Sequence, residues 1–203
     1  MKSVLISIQP YWVFLIIAKI MGWEIDQEKT VEVRKNFPKA LDWNKKSIIY
    51  CSKNKQSFNR IPKKYQPFME KFLGRVVGEF ECDEIFTISC YSSDLNARWM
   101  NQEQPFTCLT DKEMINYLGN GKEGYAWHIT DLVIYDKPKE LGEFILPSKI
   151  GCCNEEKCRS CKYLDRGNGF NVEDDCNAKF CTDEYKPLRK APQSWCYVEV
   201  LGV

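Results

Sequence analysis

Charge of one sign is missing from this sequence. Its 29 Lys and Arg stand against 28 Asp and Glu, a formal net charge of +1 over 203 residues. No global basic field marks a nucleic-acid binder, so any such binding must use a local patch. Long hydrophobic runs are missing too. The longest, Trp12 to Ala18, is bracketed by Pro10 and Lys19 and is too short to span a bilayer. Nothing near Met1 reads as a secretory signal, so the surroundings are expected to be reducing and cytoplasmic, with no membrane partner. Histidine is almost absent: His128 is the only one. Neither internal repeats nor low-complexity linkers occur, which excludes solenoids and linker-joined arrays. The remaining composition, 44% hydrophobic and 28% charged, is that of a globular chain able to build one sizeable core.

Cysteine is abundant instead. Six of the eleven fall between Cys152 and Cys181. The run Cys152-Cys153-x4-Cys158-x2-Cys161-x14-Cys176-x4-Cys181 approaches a zinc ribbon or knuckle. A Cys-x2-Cys turn presents two thiolates at once, and Arg166-Gly167-Asn168-Gly169 suits the turn between two limbs. The expected ligands of a structural zinc are Cys158, Cys161, Cys176 and Cys181, with Cys153 as an alternate. Free thiols in a loop, or disulfides in an exported protein, are the other readings. Cys51, Cys82, Cys90, Cys108 and Cys196 sit mostly among apolar residues and read as small buried hydrophobes.

Along the chain, Ser3 to Gln9 reads as a buried strand, and Pro10 to Met21 as an amphipathic helix stopped by Gly22. Its aromatic stripe, Trp12 included, is expected in the core. Tyr11 stands at the first turn, where it would overlook a pocket. Ser47 to Cys51 is a second apolar strand. A polar insertion, Asn54 to Arg75, carries a short helix within Tyr65 to Leu73. Arg75 to Ile85 alternates and predicts one strand. Ile88 to Cys90 either continues the sheet or begins a loop to Thr107. Thr110-x-x-Glu113 is a capping box ahead of a helix from Asp111 to Leu118. Gly124 to Tyr135 is the longest β-like run, and Lys137 to Leu141 turns into a short helix. Trp195 to Leu201 closes the chain. The class is α+β and mainly β, one domain over residues 1–203 with a Cys-rich insert at 151–186.

One stretch organises the rest. From Lys29 to Arg34 the alternation is strict, with Val31 and Val33 on one side and Thr30, Glu32 and Arg34 on the other. The polar row offers a hydroxyl, a carboxylate and a planar donor fork, with Lys29 at the entrance. It reads either as a polar ligand site or as a solvated face on which Glu32 and Arg34 pair. Lys53, Lys55 and Arg60, with Lys63 and Lys64 nearby, would extend a cationic patch interleaved with Tyr11, Tyr50, Phe58 and Tyr65, suited to a splayed base.

Lys29-Thr30-x-Glu32-x-Arg34 matches the Gly-x-Lys-Thr-x-Glu-x-Arg element of the ASCH domain, a branch of the PUA-like superfamily. Gln27 occupies the glycine position. The order of Val-Leu-Ile-Ser-Ile-Gln-Pro, an apolar helix, this element, Ile-Ile-Tyr-Cys-Ser and Gly-Arg-Val-Val-Gly-Glu-Phe also resembles that family. Ala-Trp-His-Ile-Thr-Asp-Leu-Val-Ile-Tyr and Ala-Pro-Gln-Ser-Trp-Cys-Tyr-Val-Glu are similar to its phage and mobile-element members. The resemblance implies a curved mixed β-barrel with flanking short helices and a cleft that takes RNA or a nucleotide-like ligand. The ligand-binding set is then Tyr11, Lys29, Thr30, Glu32, Arg34, Ser52, Lys53 and His128.

Some ASCH proteins are hydrolases, and one bacterial group deacylates N4-acetylcytidine with a Lys, a Thr and a Glu. Lys29 matches that Lys, but Glu32 stands where its Thr would be, and a carboxylate does not replace an activated hydroxyl. As an enzyme, the chain would use Lys29 with Glu32 or Glu84. His128 would face away from Trp127 and Ile129, as an acid or base or as a structural hydrogen-bonding group. A third reading is a protein-interaction factor of a phage or mobile element.

Overall fold

The computed structural model describes residues 3–38, 46–91, 96–99, 107–145 and 187–200. The five cysteines expected to bear on zinc, Cys153, Cys158, Cys161, Cys176 and Cys181, lie outside the described residues.

β1 (Ser3–Ile8) is apolar on both faces because both are covered. Val4, Ile6 and Ile8 enter the largest core cluster, and Leu5 enters a second cluster with Ile48, Val76 and Phe144. β1 pairs in parallel with β3 (Lys46–Cys51) and antiparallel with β10 (Trp195–Val200). Together with β4 (Arg75–Glu81), β8 (Thr130–Lys139) and β9 (Phe144–Ile145) they form a six-stranded mixed sheet, ordered β8-β4-β3-β1-β10-β9. β2 (Val31–Arg34), β5 (Ile85–Tyr91), β6 (Asn96–Trp99) and β7 (Glu123–His128) form an antiparallel second sheet, ordered β2-β7-β5-β6. The architecture is α+β, a curled half-barrel with a few short helices.

Two runs that each read as one strand in the sequence divide between the sheets. Arg75 to Ile85 leaves the first sheet at Glu81 and enters the second at Ile85. Gly124 to Tyr135 breaks at Ile129, after β7 and before β8. Asp83 and Glu84 at the first corner, and Thr130 and Asp131 at the second, interrupt the apolar positions, but the chain reads as strand on both sides, so β-like composition alone does not reveal a change of sheet. The corners are stitched by hydrogen bonds. The His128 N–H donates to the Glu84 carbonyl at 2.9 Å, the Ile129 N–H to Thr30 at 2.9 Å, and the Thr130 hydroxyl to Glu81 at 2.9 Å. Asp131 turns the chain with φ 44°. Where β4 meets β8 the register shifts on both sides of Gly78, and a Cβ there would stand 2.3 Å from the Val133 carbonyl oxygen. The strands approach this closely only because that residue is glycine.

α1 (Pro10–Ile17) has Pro at its first turn. It differs from the expected amphipathic helix. Val13 to Ala18 are all buried, Ile20 is exposed, and the helix ends at Ile17. Gly22, with φ 64°, follows in the turn that closes it. α2 (Lys55–Phe58) starts at Asn54, whose side chain accepts from the Ser57 N–H at 2.8 Å. α3 is Gln66–Glu70, and α4 (Asp111–Leu118) carries the full capping box of Thr110 and Glu113. In place of the expected helix after Lys137, β8 runs to Lys139 and a single 3-10 turn spans Leu141–Glu143. Among the described residues no helix is long and apolar enough to cross a membrane. Cys51, Cys82, Cys108 and Cys196 are free thiols, and burial pushes Cys51 and Cys82 up to about 12.

Candidate functional site

β2 is buried along its whole length, unlike a solvated strand face. Val31 and Val33 pack with Ile88, Met114, Leu118 and Ala126. The opposite face carries three buried charges. Glu32 accepts from Arg34 at 2.9 Å and lies 3.4 Å from Lys29 Nζ. Arg34 also donates to the Ser7 carbonyl at 2.7 Å and reaches Ser194 Oγ at 3.5 Å, which ties β2 to β1 and to the approach to β10. Lys29 Nζ donates to the Thr107 carbonyl at 3.0 Å and stands 5.3 Å from the Trp12 ring centre. Thr107 is held by a tight local turn: its hydroxyl accepts from the Leu109 N–H at 3.1 Å, and Cys108 between them has φ 58°.

A cavity of about 450 Å³ opens beside this row. Lys29, Glu32 and Arg34 line it with Trp12, Ser52, Arg60, Glu113 and Tyr117. Three cations against two carboxylates make these charged lining residues net positive. Burial is the main influence on Lys29 and holds its amine below the usual lysine range, with the nearby Glu32 carboxylate pulling it back up. Arg34 Nε and Ser52 Oγ are buried without a hydrogen-bond partner among the described residues.

The structure brings Lys29, Glu32, Arg34 and Ser52 together and sets the other expected residues apart. Thr30 is half-buried outside the lining, and its carbonyl is spent on Ile129. Lys53 lies against Gly74 instead. His128 faces away from the core as expected, but not into the cavity: its Nδ1 lies 2.7 Å from Asp83 Oδ1 at the sheet corner. Glu84 is exposed at the same corner, so the corner that splits the β-like runs also carries both residues away from β2. Tyr50 belongs to a core cluster, not to an aromatic platform, and Tyr11 lines a neighbouring cavity. Trp195 and Tyr197, on one face of β10, pack against the largest core cluster.

Trp12, Glu113 and Tyr117 carry weak sequence signals for this place. Trp12 reads as part of a core stripe, Glu113 as half of a capping box, and Tyr117 lies on a helix far from β2 in the chain. Only the helix-start position of Trp12, beside the end of β1, hints that it overlooks the strand ends.

No family model matches the sequence, and no curated protein does. Among solved structures, the chain is similar to the ASCH protein of Zymomonas mobilis. Identity is 15%, coverage 97% of this chain and 87% of that one, and the TM-score 0.42. A point variant of the same protein overlays with 16% identity over 70% of this chain and 77% of that chain, at a TM-score of 0.44.

Proposed function

We propose that this chain is an RNA- or nucleotide-binding module that uses the cavity beside β2. The observation that carries the reading is the buried Lys29–Glu32–Arg34 row on the cavity wall. Two desolvated cations share one carboxylate, and Arg34 Nε and Ser52 Oγ, unpaired among the described residues, remain for an acceptor-rich ligand. Glu32 can accept from a ligand N–H, and the Trp12 indole and the Arg60 guanidinium border the opening. The Lys-Thr-x-Glu-x-Arg element of the ASCH resemblance points the same way.

The test is fluorescence anisotropy with a short single-stranded RNA at two salt concentrations. The expected result is salt-sensitive binding that Lys29→Ala weakens about tenfold, with the salt dependence falling by roughly one phosphate contact. Equal affinity of wild type and variant would overturn the reading.

One observation favours a second reading, a hydrolase acting on a modified nucleoside or RNA. Burial depresses Lys29, which leaves more neutral amine to act as a base or nucleophile than a surface lysine has. Lys29 and Glu32 would carry that chemistry. Release of cytidine from N4-acetylcytidine, lost in Lys29→Ala, is its signature.

The spacing of the Cys-rich insert supports a structural zinc on Cys158, Cys161, Cys176 and Cys181, with Cys153 as an alternate ligand. Four thiolates leave no open position, so its role is to hold the insert together. Elemental analysis of purified protein should find one zinc per chain, lost when Cys158 and Cys161 are both replaced by Ser. Metal-free protein with unaltered folding would exclude it.

A further inference from the structure

A second cavity adjoins the first, and Arg60 belongs to the wall of both. This outer cavity holds about 310 Å³ and is lined by Tyr11, Phe14, Tyr65, Glu24, Asp26 and Lys64, among others. Two adjacent residues of α1 divide between the cavities: Trp12 lines the inner one and Tyr11 the outer. Their rings meet edge to face with centres 5.0 Å apart. The Arg60 guanidinium lies 4.0 Å from the Tyr11 ring centre and 4.8 Å from that of Trp12. A cation therefore caps the ridge between the two spaces.

The ridge is braced through backbone groups. The Tyr11 N–H donates to Ser57 Oγ at 3.1 Å, the Ser57 N–H donates to Asn54 Oδ1 at 2.8 Å, and the Arg60 N–H donates to the Ser57 carbonyl at 3.2 Å. The first turns of α1 and α2 thus set the place from which Arg60 reaches out. Its side chain is 43% exposed and meets the Glu113 carboxylate only at 3.7 Å, which is long for a hydrogen bond. A guanidinium stacked on rings keeps its in-plane N–H groups available for an oxyanion.

We propose that the two cavities are consecutive nucleotide subsites for one strand of RNA, with Arg60 holding the phosphate that joins them. This rests on the reading of the inner cavity as a nucleotide site. Arg60 covers one face of Tyr11 and Trp23 one face of Tyr65, so a second base would meet the ring surface that each tyrosine turns to the cavity, a contact tolerant of sequence. Tyr65 is itself fixed, stacked on Trp23 with centres 4.7 Å apart. Glu24 and Asp26 set the chemistry of the outer subsite. Lys64 is the cation there besides Arg60, and its ammonium stands over the Tyr65 ring at 4.7 Å. The two carboxylates repel a further phosphate and accept from base amino groups or a 2′-hydroxyl. The outer subsite therefore takes a nucleoside end, and the shortest ligand that fills the whole site is a dinucleotide with a single bridging phosphate.

Titration calorimetry with adenosine monophosphate and with the dinucleotide adenylyl-adenosine tests this. Wild type should bind the dinucleotide about tenfold more tightly than the mononucleotide, the size expected of one added stacked base. Arg60→Ala should reduce that advantage to less than about twofold, and Arg60→Lys should restore only part of it, because an ammonium lacks the planar fork. Arg60 is half exposed, so neither change empties the core. A mononucleotide that binds as well as the dinucleotide, or a dinucleotide advantage unchanged in Arg60→Ala, overturns the two-subsite arrangement and leaves the inner site standing. Absence of binding by both compounds and by short RNA overturns the nucleotide reading itself.

Discussion

Glu32→Gln will lower the unfolding free energy by about 3–5 kcal/mol, the range found when one partner of a buried ion pair is removed. Among the described residues, Glu32 is the carboxylate within reach of both buried cations, at 3.4 Å from Lys29 and 2.9 Å from Arg34. A glutamine fills the same space and keeps one acceptor oxygen, so the loss measures charge and not volume. Arg34 retains the Ser7 carbonyl, but a neutral acceptor does not replace the carboxylate.

The pH dependence of the deficit identifies its origin. Lys29 is depressed below 10.5 in the folded chain, chiefly by burial, so between its folded value and 10.5 the unfolded chain binds more protons. Stability contributed by this residue therefore rises with pH across that window. Removing Glu32, which pulls Lys29 up, pushes the folded value lower and widens the window. The deficit of Glu32→Gln relative to wild type should be largest near neutral pH and shrink as the pH approaches 10. Urea unfolding of both proteins at pH 7 and pH 10 measures it. A cost below about 1 kcal/mol at pH 7 would mean that water reaches the row in solution, as at an exposed pair.

Trp127→Ala will cost about 3–5 kcal/mol, and Trp127→Phe no more than about 1 kcal/mol. Trp127 is wholly buried in the largest core cluster and is the cross-strand partner of Glu32. Truncation to alanine empties the space beneath the charged row. Phenylalanine keeps most of the ring and removes the indole N–H, which is buried without a partner. The relief of that unpaired donor offsets part of the lost area. Thermal unfolding of the two variants separates the effects. A loss in Trp127→Phe as large as in Trp127→Ala would show that the indole N–H is paired in solution.

What the sequence reveals here follows from the range of each signal. β1, β2 and β3 and the Thr110 capping box are local patterns, and they stand where period and capping rules put them, whereas α1 ends at Ile17, ahead of the expected stop at Gly22. The Lys29–Arg34 row was legible as a polar face because alternation is a property of the strand itself. Its burial was not, because that depends on α4, on the Thr107 turn and on the approach to β10, all distant in the chain. The two sheet corners were also hidden. Each falls inside a run that reads as strand on both sides, and each depends on a backbone hydrogen bond from a distant segment. A strand read as continuous carries the His128 side chain straight on toward the ligand, and the corner carries it and Glu84 away.

The placing of β1 between β3 and β10 has a consequence for how the chain is made. β1 gains β3 on one edge early, but its other edge waits for β10. At ordinary rates of synthesis the interval is about 10–40 s. Through that time a largely apolar strand has one edge unpaired, and that edge is a template for any other chain. The cavity is incomplete for as long, because Pro192 and Gln193, on the approach to β10, belong to its wall. The cavity is therefore completed only as the β1 edge is covered, in a single late step.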